Sequence, residues 1–356
     1  MTRLTLFGAG KIGEAIIHML GRSGDYRLRV VDADTQRLAP MKDSGAECIA
    51  ADIRDAGALE NLVRDQDVVV SACPFYLTPA IARAAQAQGA HYLDLTEDVQ
   101  STREVMALAA GARSAMIPQC GLAPGFISIA AHDLASRFDK LRDVYMRVGA
   151  LPTYPNNALK YNLTWSTDGL INEYCNPCQS IRDGAPMDTL PLEEVESFSL
   201  DGIDYEAFNT SGGLGTLAET LAGRVENLNY KTVRYPGHRD IVKTLVRDLR
   251  LDRRRDLLKD VLEAAIPMTK QDVVLVYVSV TGEREGRLQQ EVFAKKIYAR
   301  EIDGTLFSAI QVTTAAGICA MVDLLVEGKL PQKGFVRQEQ ATLADFLGNR
   351  FGAYYG

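Results

Sequence analysis

An apolar run, Leu4-Thr5-Leu6-Phe7, feeds directly into Gly8-Ala9-Gly10-Lys11-Ile12-Gly13, and a second apolar run ends on Asp32. This is the spacing of a strand, a G-x-G-x-x-G turn and a helix, with an acid about 20 residues on. Nothing else in the chain restricts the fold as strongly. Gly8 makes the tight turn. Gly10 leaves room for a pyrophosphate against the backbone, and Gly13 lets the helix pack close to the strand. Lys11, Ile12 and Gly13 open that helix, whose N-terminus presents free N–H groups and about half a positive charge to phosphates. The pattern points to a dinucleotide. Asp32 favours NAD, because a carboxylate at the end of the second strand accepts ribose hydroxyls and repels a 2′-phosphate. Arg37, on the following helix, can reach a 2′-phosphate, so NADP is not excluded. Asp32 has an alternative use in starting a turn or capping a helix, which Asp34 or Thr35 can serve equally.

The same rhythm continues to about residue 125. Short apolar runs at 4–7, 28–31, 47–50, 68–71, 92–94 and 115–117 alternate with helical segments that begin near Lys11, Thr35, Ala56, Thr78 and Val99. Such alternation predicts βαβ units and a parallel sheet covered on both faces. After Pro124 the rhythm breaks. A helix is expected over 126–138 and strands over 143–148 and 272–281, with an irregular region between. Segments 291–301 and 305–311 are expected to form a hairpin around Asp303-Gly304, a type I′ signal. The expected class is α/β, with a Rossmann-type doubly wound parallel sheet over 1–125. A second, α+β domain containing an antiparallel sheet follows over 126–310. A C-terminal helix and tail, 311–356, return to the first domain.

The 356 residues are comfortable for more than one core. The net charge of −7, with no basic run, argues against a nucleic-acid partner. The apolar stretch 306–326 carries Gln311, Thr313, Thr314 and Asp323, which suits a strand leading into a buried helix rather than a membrane span. The first strand starts too close to Met1 for a signal peptide, and six cysteines in so long a chain do not make a secreted disulfide framework. The expectation is no membrane association and a cytoplasmic location. Cys175 and Cys178 form a C-x-x-C without the second pair or histidines that zinc requires. The pair also falls at a helix end, whereas a redox pair opens a helix. No metal is expected.

Ligands of open parallel sheets bind beyond the carboxyl ends of the strands. Besides the glycine turn, the loops expected there are Asp52-Ile53, placed for adenine, and Ser71-Ala72-Cys73-Pro74, placed beneath the dinucleotide. Asp94-Leu95-Thr96-Glu97 and Gln119-Cys120-Gly121-Leu122-Ala123-Pro124-Gly125 are placed for the nicotinamide. Asp94, Glu97 and Cys120 are therefore the candidate catalytic residues, although Asp94 can equally cap the next helix. A carboxylate is the better base, and a thiol in an apolar loop stays protonated. In the second domain, Thr210, Ser211 and Gly212 belong to a small-residue loop suited to an anion. Lys231, Arg234 and His238 fall within one short span, where Arg234 can hold a carboxylate through parallel hydrogen bonds. Tyr161 and Trp165 can wall a pocket or pack a core.

The stretches Gly8-Ala9-Gly10, Cys120-Gly121-Leu122-Ala123-Pro124-Gly125, Glu206-Ala207-Phe208-Asn209-Thr210-Ser211-Gly212-Gly213 and Tyr230-Lys231-Thr232-Val233-Arg234-Tyr235-Pro236-Gly237-His238 carry a resemblance. The chain resembles the saccharopine dehydrogenase-like family over nearly its whole length, closest in motif to the lysine 6-dehydrogenase branch. It departs from that branch at Asn156-Asn157-Ala158-Leu159-Lys160 and around Trp165-Ser166. The resemblance implies a Rossmann domain with an α+β domain, dimerisation through the latter, and hydride transfer between NAD(P) and a carbon–nitrogen bond of an amino acid. Within it, an NAD-dependent oxidation of the lysine ε-amine leads. An opine-type or carboxynorspermidine-type imine reductase, a homospermidine synthase-like transferase that recycles NAD, and a non-catalytic NAD-binding regulator are the alternatives.

Overall fold

The structure, a computed structural model, describes residues 1–302 and 304–356, the side chains of Lys42 and Asp43 apart. The chain begins β1 (Thr2–Phe7), α1 (Lys11–Arg22), β2 (Tyr26–Asp32), α2 (Thr35–Leu38), β3 (Glu47–Ala50), α3 (Ala56–Val63), β4 (Val68–Ser71), α4 (Thr78–Gln88), β5 (His91–Asp94), α5 (Val99–Ala109) and β6 (Ala115–Ile117). It continues with α6 (Phe126–Ala135), β7 (Lys140–Pro152), α7 (Thr167–Cys175), β8 (Cys178–Arg182), β9 (Ala185–Thr189), β10 (Glu196–Leu200), β11 (Ile203–Asn209), α8 (Leu217–Thr220), β12 (Val225–Arg234), α9 (His238–Lys243) and α10 (Arg255–Ala265). It closes with β13 (Asp272–Arg284), β14 (Arg287–Tyr298), β15 (Arg300–Ile302), β16 (Thr305–Phe307), α11 (Ala309–Val326), β17 (Gly334–Phe335) and α12 (Leu343–Gly348). Two compact units result, Met1–Phe126 with Thr313–Gly356, and Ile127–Val312.

The first unit holds a 7-stranded sheet in the order β17-β6-β5-β4-β1-β2-β3, parallel throughout. The order steps outward from β1 in both directions, which is the doubly wound arrangement. Strand β4 is buried at every position, as a sheet covered on both faces requires. The expected helix starts at Lys11, Thr35, Ala56, Thr78 and Val99 are all observed. The added strand β17, beside β6, is too short to read from periodicity.

The second unit is built on an 8-stranded sheet whose main path runs β10-β11-β12-β7-β13-β14. It is mixed rather than purely antiparallel, because β7 and β12 pair in parallel. The expected hairpin of 291–301 with 305–311 is corrected. Strand β14 pairs instead with β13 from Arg284↔Arg287 to Val273↔Tyr298, through a two-residue turn at Glu285 (φ 51) and Gly286 (φ 71). Positive φ at both central residues is the type I′ turn, whose twist matches the strands. Only the small β15–β16 pair flanks the expected turn, and Asp303, on which that reading rested, lies outside the described residues. Helix α11 begins at Ala309, just ahead of the expected C-terminal segment 311–356, because the buried Asp272 carboxylate accepts hydrogen bonds from the N–H groups of Ala309 (2.5 Å) and Ile310 (3.1 Å). This helix is long and apolar enough to cross a membrane, yet 89% of it is buried inside the protein.

Candidate active site

In the first unit, Gly8 has φ +99, and a Cβ there would lie 2.8 Å from the Ala72 carbonyl oxygen. A Cβ on Gly13 would meet the Gly8 carbonyl oxygen at 2.0 Å, whereas one on Gly10 would meet nothing within 4 Å. The turn is thus closed on its inner side and open at Gly10, the position from which α1 starts with no side chain capping it. Lys11 is exposed and Ile12 half-buried at the same end. Asp32 is held in place by its own loop. Its Oδ2 accepts the Ala9 N–H at 2.8 Å and its Oδ1 the Asp34 N–H at 2.8 Å, while Asp34 caps α2. Arg37 Nη1 stands 3.9 Å from Asp32 Oδ2 on an exposed side chain. An open helix N-terminus beside a fixed carboxylate fits a dinucleotide: phosphates at Gly10–Gly13, ribose hydroxyls at Asp32.

The other expected cofactor residues differ in surroundings. Asp52 is exposed and gripped by Arg54, whose hydrogen bonds hold its carboxyl down to about 2. Ile53 packs against the sheet core. Ser71 ends β4 beside Asp94. The Cys73 thiol is pushed up to about 12 by burial, and Pro74 is exposed.

Of the expected catalytic residues, Asp94 is fully buried. Its Oδ1 accepts the N–H groups of Thr96 and Gln119, both at 3.0 Å, and its Oδ2 accepts the Tyr92 hydroxyl at 3.0 Å. Burial raises its carboxyl to about 6 against these donors. It ties the loop after β5 to the loop after β6, while Asp98, not Asp94, caps α5. Cys120 is buried. Its Sγ donates to the Ile117 carbonyl oxygen at 3.1 Å and accepts from Gln338 Nε2 at 3.2 Å, and burial pushes its thiol well up. Glu97 is half-buried on the loop between them.

In the second unit the structure gathers Tyr161, Glu173, Tyr174, Arg234 and His238. Arg234 is buried with its guanidinium carbon 4.9 Å from the centre of the Tyr161 ring. Its Nη1 donates to Thr232 Oγ1 (2.7 Å) and the Val233 carbonyl oxygen (2.8 Å), and its Nε to the Tyr174 hydroxyl (3.1 Å). Tyr174 in turn lies 2.9 Å from His238 Nε2, and His238 Nδ1 lies 2.8 Å from the Leu159 carbonyl oxygen. A carbonyl only accepts, so Nδ1 carries the proton, and Tyr174 donates to Nε2. Burial, reinforced by Arg234, lowers His238 to about 3 and keeps it neutral. Glu173 Oε2 sits 3.7 Å from Arg234 Nη2, longer than a hydrogen bond, and has no hydrogen-bond partner. Burial raises its carboxyl to about 7.

The remaining substrate candidates lie around this cluster or are committed elsewhere. The Ser211 N–H donates to the Glu173 carbonyl oxygen (3.0 Å) and its hydroxyl to that of Pro177 (2.8 Å). Thr210 Oγ1 is buried without a partner, and Gly212 has φ +90. Trp165 Nε1 donates to the Tyr161 hydroxyl at 3.2 Å. Lys231 is buried and engaged, its Nζ donating to the Glu194 carbonyl oxygen (2.7 Å) and Glu196 Oε2 (3.1 Å). Arg147 closes on the same Glu196. Cys175 ends α7, Cys178 opens β8, and both are free thiols.

Residues 4–117 match the saccharopine dehydrogenase NADP binding domain, and residues 121–350 match the saccharopine dehydrogenase C-terminal domain. The chain belongs to the saccharopine dehydrogenase family. Among relatives, saccharopine dehydrogenase (NADP+, L-glutamate-forming) of Saccharomyces cerevisiae is 25% identical over 257 residues, covering 68% of this chain and 56% of that protein. The mitochondrial alpha-aminoadipic semialdehyde synthase of Bos taurus is 19% identical over 319 residues, covering 83% of this chain and 33% of the relative. The chain thus spans about half or less of the length of these relatives. The solved structure of apo saccharopine dehydrogenase (L-Glu forming) from Saccharomyces cerevisiae shares the fold with a TM-score of 0.79 at 18% identity, covering 95% of this chain and 94% of that one. As a saccharopine dehydrogenase-family Rossmann unit, residues 4–117 use NAD(P). Sequence reasoning missed Glu173 and Tyr174. The available signal was a charged residue among Leu170, Ile171 and Tyr174, on the buried face of α7.

Proposed function

We propose that this member of the saccharopine dehydrogenase family is an NAD(P)-dependent dehydrogenase acting on a carbon–nitrogen bond of an amino acid, foremost the ε-amine of L-lysine. One observation carries the choice. Among the described residues, buried Lys231 and Arg147 are consumed by Glu196, whereas the Nη2 edge of Arg234 makes no hydrogen bond and faces only Glu173, at 3.7 Å. One open guanidinium edge suits one substrate carboxylate, as in lysine, and not the several of an opine such as saccharopine.

Bound NAD(P) supplies the hydride acceptor. The chain's residues do the rest. Arg234 orients the carboxylate, with its guanidinium fixed by Tyr174 and Thr232. Loss of hydride from the amine-bearing carbon leaves an iminium; water adds to that carbon and gives up a proton, ammonia departs, and the resulting aldehyde closes on the α-amine with loss of water. Glu97, a half-buried carboxylate on the loop after β5, is the base that takes the water's proton, and Cys120 is held protonated. Asp94 is a positioning residue that holds the loops of Glu97 and Cys120 together.

The amine must be neutral at hydride loss, and its free pKa is about 10.4. Turnover is therefore sought at alkaline pH. NAD(P)H formation across L-lysine, L-saccharopine, cadaverine and L-norleucine tests the reading. Reduced cofactor should accumulate with L-lysine alone. Accumulation with L-saccharopine alone would favour the opine reading, which the names of the relatives support.

A further inference from the structure

Among the described residues, Glu173 is a buried acid whose Oε2 has no hydrogen bond. It is 8% exposed, and its closest cation is 3.7 Å away. Leaving a carboxylate in the interior without hydrogen bonds is strongly unfavourable unless a ligand completes it. The surroundings are built around it nevertheless. The Ser211 N–H holds the Glu173 backbone, Thr210 beside it keeps a second orphaned oxygen, and a Cβ on Gly213 would lie 2.2 Å from the Tyr230 ring, so that loop must stay without a side chain there.

We propose that Glu173 and the Nη2 edge of Arg234 together form a receptor for the zwitterionic head of an α-amino acid, Arg234 taking the α-carboxylate and Glu173 the α-ammonium. The inference rests on the reading that the substrate is an amino acid and adds the residue that recognises its α-amine. The geometry is complementary. In a zwitterion the two charges sit on one carbon, about one hydrogen-bond length apart. Laid against a guanidinium N–H and a carboxylate oxygen held 3.7 Å apart, the head completes a ring of alternating charge, plus, minus, plus, minus. The two contacts the ligand makes, carboxylate to Arg234 and ammonium to Glu173, are charge-assisted hydrogen bonds, of a kind that runs about 2.7–2.9 Å. Binding the ammonium also gives Glu173 the partner that holds it ionised, since burial otherwise raises its carboxyl to about 7.

The arrangement makes Glu173 a determinant of specificity. Arg234 alone would accept any carboxylate, including an ω-amino acid with no α-amine. Glu173 restricts the site to α-amino acids, while Arg234, left unpaired by a ligand without a carboxylate, sets aside plain diamines.

The test uses a probe pair that differs only at the head and lacks the ε-amine: L-norleucine and hexanoate. Calorimetric binding to the cofactor-loaded protein should show at least a ten-fold preference for L-norleucine. Glu173→Gln keeps the shape and removes the charge, so it should abolish that preference while leaving hexanoate affinity unchanged. Arg234→Lys should weaken both. With L-lysine as substrate, Glu173→Gln should raise KM at least ten-fold and change kcat much less. A preference that persists in Glu173→Gln, an equal loss for both probes, or no preference in the parent protein would overturn the proposal. The proposal and the proposed function fail separately. A protein that prefers L-norleucine through Glu173 yet makes no NAD(P)H from L-lysine retains the receptor and loses the lysine assignment. One that oxidises L-lysine without a head preference retains the activity and loses the receptor.

Discussion

Glu173 and His238 lie in one buried cluster around Arg234 and respond to pH in opposite directions. The folded carboxyl of Glu173 is raised to about 7, so its protonated form is favoured in the fold. That contribution is full below its unfolded value and is lost as pH rises through 7. His238 is lowered to about 3, so its contribution is full above its unfolded value and is lost as pH falls. Between pH 7 and pH 5 the two largely offset each other in the parent protein. Glu173→Gln removes one side. Its stability relative to the parent should therefore fall on acidification over that window, by on the order of 1–3 kcal/mol, in thermal unfolding followed against pH. Parallel pH profiles would mean that Glu173 does not titrate there. At the other half of the chemistry, Asp32→Ala should weaken NAD binding by roughly 10- to 100-fold and narrow the gap to NADP, read by cofactor titration. An unchanged NAD affinity would remove Asp32 from the ribose site.

At the scale of elements, the first unit was legible because it is repetitive and local. Each strand is a short apolar run, and the helices through Val99 begin at the glycine turn (α1), at an aspartate cap (α2, α3, α5) or at a proline (α4), so their starts can be read from those signals. The second unit was harder because its pairings are distant. Strand β7 pairs with β12 and β13 across long separations, and no periodicity announces that β7 and β12 are parallel. The sequence signals a type I′ turn at Asp303-Gly304, while Glu285-Gly286 makes the long hairpin, a turn without a sequence signal because Glu is an uncommon residue at positive φ. The site shows the same division. Arg234 stands in a dense polar motif and can be seen in the sequence, whereas Glu173 is one acid on a helix whose burial only the tertiary structure reveals. Helix α11 was recognised as apolar, but its role in holding the loop after β6 was not. A Cβ on Gly317 would lie 2.8 Å from the Cys120 carbonyl oxygen and 3.0 Å from that of Gly121. Gly317→Ala should destabilise the protein by about 1–3 kcal/mol in denaturant unfolding, through overpacking against backbone that cannot move aside. A neutral result would show that the loop yields.

At the scale of the molecule, the chain leaves its first unit at Phe126 and re-enters it at Thr313. The return is secured by Asp323, buried on α11. It accepts the Tyr26 hydroxyl, Asn349 Nδ2 (3.1 Å) and Arg350 Nε (2.8 Å), so a strand, a helix and the C-terminal tail meet at one carboxylate. Asp323→Asn should cost about 2–3 kcal/mol, less than a fully buried pair because Arg350 is 44% exposed. Limited proteolysis should then release the tail first; cleavage starting elsewhere would mean that the return does not depend on this carboxylate. These contacts hold together the unit that binds the dinucleotide. The reaction proposed for the protein is an NAD(P)-dependent oxidation at the ε-carbon of lysine. L-lysine carrying 15N only at the ε-nitrogen tests it most directly. At alkaline pH with NAD, the account predicts that labelled ammonium appears in step with NADH, one for one. NADH formed with unlabelled ammonium, or labelled lysine left intact while L-saccharopine is turned over, would contradict it.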